Sequence, residues 1–190
     1  MTSGLFLFLH SMHPKENINS YNLFSKLKPG DFYLNHARPV IVADNLRTPE
    51  NMGAVLRLAA NVGAERVLFV KHGHEQPRNW KIKKTASGAD EKIKWQFISM
   101  DELDDLIPDD YRIIAIETAE SANDLYKTVL PEKCAFIVGH EVYGIGEELL
   151  QMADDAVYIP VPGVISSLNV THALGVVVFE WYRQMLNVKS

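Results

Sequence analysis

Cys134-Ala135-Phe136-Ile137-Val138-Gly139-His140-Glu141-Val142-Tyr143-Gly144-Ile145-Gly146 is the stretch that decides the fold. Five apolar residues in a row, with no polar alternation, describe a strand covered on both faces. Such strands belong inside parallel sheets that carry helices on either side. The glycine-bearing loop that follows lies at the carboxyl end of the strand, where open α/β sheets place their ligands.

Working outward, similar short β-branched runs recur at Pro39 to Ala43, Arg66 to Val70, Trp95 to Ile98, Tyr111 to Ile116 and Ala156 to Ile159. Helical patterns fall between them, at Asn51 to Asn61, Asp101 to Leu106 (short), Glu147 to Ala153, and Asn169 to about Asn187. The alternation predicts βαβ crossovers and therefore an α/β fold with a parallel sheet flanked by helices. The final helix carries Ala173, Leu174, Val176, Val177, Val178, Phe179, Trp181 and Tyr182 and keeps almost no polar stripe. A helix apolar nearly all round is buried on several sides, so one of its faces is expected to meet a second copy of the chain. His172, one turn into it, reads as a satisfied buried histidine. Residues 1–37 form an N-terminal extension, and 38–190 are expected to make one domain.

The 190 residues are 47% hydrophobic and 23% charged, enough apolar mass for one sizeable core. The apolar run Leu5 to Leu9 is too short for a signal segment and lacks a basic flank, and no stretch is long enough to span a membrane. With a lone cysteine, Cys134, inside a strand-like run, a reducing cytoplasmic setting is expected. The net charge of −5 excludes a protein that grips nucleic acid by charge over its whole surface. The charge is unevenly spread, however. Arg66 to Lys94 holds eight basic residues against three acids, with Lys81, Lys83 and Lys84 close to Trp80, which fits an RNA phosphate-facing patch. Asp101 to Asp110 has six acids and no base and reads as a solvated surface.

Three loops carry the chemistry. In the first, Asn51, Gly53 and Arg57 lie on the helix after the first strand, where Asn51 taken alone reads as a helix cap. The second is Gly139 to Gly146. It lacks the Lys-Ser/Thr of a nucleoside triphosphatase loop and the spacing of a dinucleotide fingerprint, leaving Glu141 as its notable group. The third, Ile159-Pro160-Val161-Pro162-Gly163-Val164-Ile165-Ser166-Ser167-Leu168-Asn169-Val170, leads into the last helix and places Ser167 and Asn169 on an apolar turn suited to a ligand wall.

Taken in order, N-x-G-x-x-x-R, G-x-E-x-x-G and I-P-x-x-G-x-x-x-S-L-N-V resemble the SpoU/TrmH branch of the SPOUT methyltransferases over residues 39 to about 185. The segment Lys84 to Ala89 is also similar to that branch. The resemblance implies a C-terminal trefoil knot whose loops hold S-adenosylmethionine. It implies a cofactor pocket of Glu117, Thr118, Ala119, Gly139, Ile159, Val161 and Leu168. It also implies methyl transfer to a ribose 2′-hydroxyl of transfer or ribosomal RNA by Arg57, Asn51, Glu141, Ser167 and Asn169, in a homodimer. Arg57 would further contact the RNA, as would Lys81, Lys83 and Lys84. No metal is needed, and His72-x-His74 lacks a third ligand. A nicotinamide-dependent oxidoreductase is disfavoured by the missing G-x-G-x-x-G, and the intact motif residues weigh against a non-catalytic assembly factor of the same fold.

Overall fold

The computed structural model describes residues 19–73 and 78–187. The Leu5 to Leu9 run and His74 lie outside them. The described residues up to Asp31 belong to one unit and those from Phe32 onward to a second. In the first, helix α1 (Ser20–Leu27) starts where the Asn19 side chain accepts from the Tyr21 amide at 2.8 Å and ends at Lys28 in the left-handed region.

The second unit is built on β1 (Val40–Asp44), β2 (Arg66–Val70), β3 (Lys94–Ile98), β4 (Arg112–Ile116), β5 (Asn123–Asp124), β6 (Cys134–Val138) and β7 (Asp155–Tyr158). These pair in parallel as one seven-stranded sheet in the order β3-β2-β1-β6-β4-β7-β5. Helices α2 (Pro49–Val62), α3 (Asn79–Ala86), α4 (Glu147–Met152) and α5 (Val170–Asn187) complete it. Alternation along each strand divides the core in two. Ile41, Ala43, Phe69 and Phe136 pack under Met52, Val55, Leu56 and Ile82 and under Leu174, Val177, Val178 and Trp181 of α5. Val40, Val42, Leu68 and Ile137 face Leu103, Ile107 and Leu149 on the other side.

Three expectations change. Asp101 to Leu106 is no α-helix; a single 3-10 turn at Met100–Glu102 is held by the Glu102 carboxylate, which accepts from the Ser99 amide and hydroxyl, both at 2.8 Å. Helix α3 and the two-residue β5 were not expected. His172 is exposed, not buried, because it lies on the side of α5 opposite Leu174 and Val178. Phe32 and Tyr33 pack against the core of the second unit, where the Tyr33 hydroxyl donates to the Val62 carbonyl.

Candidate active site

The carboxyl ends of β1, β4, β6 and β7 converge at one place, and the loops that leave them form the site. After β1 the chain turns through Asn45, a non-glycine residue in the left-handed region, which asparagine tolerates. Helix α2 then starts with Pro49 in its first turn and Thr48 as its cap, whose hydroxyl accepts from the Asn51 amide at 3.2 Å. Thr48 takes the capping role that Asn51 was a candidate for, so the Asn51 side chain is free to reach elsewhere.

It reaches Glu141. Asn51 Nδ2 donates to Glu141 Oε1 at 2.7 Å, and the same oxygen accepts from the Thr48 amide at 3.2 Å and the Thr48 hydroxyl at 3.3 Å. Glu141 Oε2 accepts from the Arg47 amide at 2.9 Å. On its other side, Asn51 Oδ1 accepts from Asn169 Nδ2 at 3.3 Å, while Asn169 Oδ1 accepts from the Thr171 amide at 2.8 Å at the start of α5. One hydrogen-bonded chain thus joins residues 141, 51 and 169, one from each loop. Burial would raise the Glu141 pKa, but the bonds from Asn51, Arg47 and Thr48 outweigh it and hold the carboxyl below its usual range.

The loops are closely fitted. A Cβ on Gly139 would stand 2.1 Å from the Gly144 carbonyl carbon and 2.2 Å from the Ile145 nitrogen, so no side chain fits there. Residues 140–144 form a tight turn, with the His140 amide donating to the Gly144 carbonyl at 2.8 Å, the reverse bond at 2.9 Å, and Gly144 at φ 71°. Glu117 fastens the exit of this turn: its carboxylate accepts from the Ile145 amide at 3.0 Å and from the Thr118 amide at 2.9 Å. Gly53 plays a similar part between helices, since a Cβ there would meet Thr85 Oγ1 at 2.0 Å and the Ala86 amide at 2.7 Å. Thr85, in the segment similar to the family, donates to the Pro49 carbonyl at 2.8 Å and locks α3 against the start of α2.

A concavity of about 330 Å³ opens between these loops. Glu117, Thr118, Gly139, Ile159, Val161 and Leu168 line it, together with Glu141, Ser167 and Asn169. Ala119 does not. Asn51 lies behind Glu141 and Asn169 and is bonded to both. Ser167 is exposed and makes no side-chain hydrogen bond among the described residues. Arg57 is not brought to this concavity: it is exposed on α2, about 9 Å further along the helix axis than Asn51. Lys81, Lys83 and Lys84 are exposed on α3, with Trp80 beside them at 57% exposure. Among the described residues no group of three His, Cys, Asp or Glu is placed to hold a metal. Among the described residues no helix is long and apolar enough to cross a membrane.

Sequence reasoning missed Asp44. It is the buried carboxylate at the end of β1, and it accepts from the Gly146 amide and pairs with His72 Nε2, both at 2.7 Å. Beside it, Lys71 Nζ donates to the Leu46 carbonyl at 3.0 Å, and burial pulls its pKa down. Only the unusual position of an acid at the end of a fully apolar strand hinted at this. The Cys134 thiol, which burial pushes up to about 12, is inert.

With this geometry in place, the comparisons are decisive. Residues 38–179 match the SpoU rRNA Methylase family. The chain belongs to that family. It is 29% identical over 173 residues to the 23S rRNA (guanosine-2'-O-)-methyltransferase RlmB of Salmonella typhi, covering 85% of this chain and 71% of the relative. It is 26% identical over 150 residues to the tRNA (guanosine(18)-2'-O)-methyltransferase of Aquifex aeolicus (strain VF5), covering 76% and 69%. Among solved structures, an RNA 2'-O ribose methyltransferase superposes with a TM-score of 0.67 at 30% identity, over 80% of this chain and 60% of that one. A structure solved for 2-OH methylation of C/U34 on tRNA gives 0.70 at 26% identity, over 80% and 97%.

Proposed function

We propose that this protein transfers a methyl group from S-adenosylmethionine to a ribose 2′-hydroxyl of an RNA. The observation that carries the reading is the chain Glu141–Asn51–Asn169, which ties three family motifs into one wall of a concavity at the carboxyl edge of the sheet. The lining suits the cofactor. Ile116, Val138, Val157, Ile159, Val161 and Leu168 offer apolar walls for a purine, and the hydroxyls of Thr118, Ser166 and Ser167 offer hydrogen bonds to a ribose. Held there, S-adenosylmethionine supplies an activated methyl group on a sulfonium.

The residues divide the remaining work. Glu117 and Gly139 set the shape of the loops. Glu141 and Asn51 fix the start of α2, and Asn169 fixes the start of α5. The guanidinium of Arg57 carries donors and no acceptor, so it clamps phosphate and stabilises negative charge as it develops on the oxygen. An RNA phosphate is our candidate for the proton acceptor. Lys81, Lys83 and Lys84 bind the RNA backbone.

We read the catalytic module as residues 38–190, cytoplasmic, with 1–37 an extension. From β4 the strands run out to β5 at the edge, back to β6 at the centre, and out again to β7 between the two. This return path is where we place the trefoil knot. The active form is a homodimer through α5. That helix buries Leu174, Val177, Val178, Trp181 and Met185 within its own chain yet leaves Phe179 46% and Leu186 58% exposed. Leu58, next to Arg57, lies where a Cβ on Gly175 of α5 would meet it at 3.8 Å, so a seam on α5 also brings Arg57 close to the second copy. Sedimentation at twice the 21.4 kDa chain mass supports the seam, and a monomer at micromolar concentration contradicts it.

The relatives named above include enzymes of ribosomal and of transfer RNA. Deleting the gene and mapping lost 2′-O-methyl positions across total RNA tests the reading and names the substrate. At least one position is expected to disappear; an unchanged map counts against the proposal.

A further inference from the structure

We infer that the ring of Tyr143 is a stacking platform that positions a base of the RNA substrate, an inference that rests on the methyltransferase reading of the site. Tyr143 is 84% exposed, and its ring contributes nothing to either half of the core. Its one aromatic neighbour among the described residues is His140, at 4.9 Å between centroids with the planes inclined by 35°.

The turn that carries it is fixed without help from that ring. The two backbone bonds between His140 and Gly144 close it, and the Ile145 amide is held by Glu117. His140 Nδ1 accepts from the Val142 amide at 3.0 Å and the Tyr143 amide at 3.4 Å, which fills the interior of the turn and places the ring proton on Nε2. A large, flat apolar group is therefore presented to solvent on a rigid mount. Glu141, which organises the site, sits on the same turn, and His140 itself lines the concavity.

Sequence-specific RNA recognition works on unstacked bases laid against aromatic faces, and each such contact is tolerant of base identity but sensitive to loss of the ring. Val142 and Gly144, on either side of Tyr143, line the concavity, so a ribose presented there carries its base within reach of the Tyr143 ring. The phenol hydroxyl has no partner within the described residues. The ring, not the hydroxyl, is the working part.

The test compares Tyr143→Phe with Tyr143→Leu, using tritiated S-adenosylmethionine and RNA from cells lacking the gene. Phe keeps the ring, and Leu keeps apolar bulk without it. The Phe protein should stay within about twofold of wild type. The Leu protein should raise KM for RNA about tenfold, the loss expected for one stacked base, with S-adenosylmethionine affinity and sedimentation unchanged. Wild-type kinetics in the Leu protein, or equal losses in both, overturn the platform while leaving the methyltransferase reading intact. A change of sedimentation in the Leu protein overturns it in favour of a subunit contact. Absence of transfer by wild-type protein overturns the methyltransferase reading itself, and this inference with it.

Discussion

Asn51→Asp is the most discriminating change to the hydrogen-bonded wall, because it alters one atom and no shape. The amide that donates to Glu141 Oε1 at 2.7 Å becomes a carboxylate oxygen facing another carboxylate. Two unit charges at that distance repel by about 1.5 kcal/mol in full water screening and about 6 kcal/mol at the effective dielectric of a protein surface. Both side chains are partly exposed and can relax, so we expect about 2 kcal/mol of destabilisation at pH 7. The sign of the pH dependence follows from the pair. In the wild type the Glu141 pKa is lowered, so its contribution is complete above the ordinary carboxylate range and is lost as pH falls through the folded value. In the variant, the folded pair holds one proton more tightly than the unfolded chain does. Its deficit therefore shrinks as pH falls toward 5. Urea unfolding of both proteins at pH 5 and pH 7 measures this. A deficit of the same size at both values, or none at pH 7, refutes the reasoning and means that the two side chains do not meet.

Three further changes separate the roles of the remaining residues. Arg57→Ala should keep S-adenosylmethionine affinity by calorimetry and its sedimentation, yet lose at least about a hundredfold in methyl transfer under saturating RNA, the scale of one lost transition-state donor. Gly53→Ala should lower the thermal midpoint and destabilise by about 1–3 kcal/mol, because its methyl collides with Thr85 and the backbone of α3; a stability equal to wild type means that the helices are not in such close contact. Lys83→Ala combined with Lys84→Ala should weaken RNA binding and reduce the slope of affinity against salt by up to about 2, since each phosphate contact releases a counterion. An unchanged slope removes α3 from the RNA surface.

The parts of this molecule that were legible in its sequence are those governed by short-range pattern. Ile41, Leu68 and Ile137 sit in runs apolar on both faces, and a parallel sheet is the arrangement that buries such runs. Helix α5 announced itself through sustained apolar content. Helix α3 did not, because Asn79–Ala86 buries only Ile82 and Ala86, and Arg78 offers no side-chain cap. The acidic run after Ser99 looked helical by composition, and the Ser99–Glu102 capping box does start a turn, but only a single 3-10 turn forms before Pro108. Within the site, Glu141, Asn51 and Asn169 were found through motif spacing, yet their mutual bonds span 90 and 118 residues and follow from topology alone. Asp44 carried only the hint of an acid ending an apolar strand, and its partner was hidden for the same reason, since Gly146 lies 102 residues away. Thr48 as the cap of α2 was a local feature that could have been read, since a threonine before proline at a helix entrance is a strong start signal.

Purified protein is incubated with isotopically labelled S-adenosylmethionine and RNA from cells lacking the gene, the RNA is digested to nucleosides, and mass spectrometry locates the label. Transfer to a ribose 2′-hydroxyl puts label in a 2′-O-methylated nucleoside, on the ribose and not on the base, and Arg57→Ala removes it. Label confined to a nucleobase, or no transfer by the wild-type protein, contradicts it.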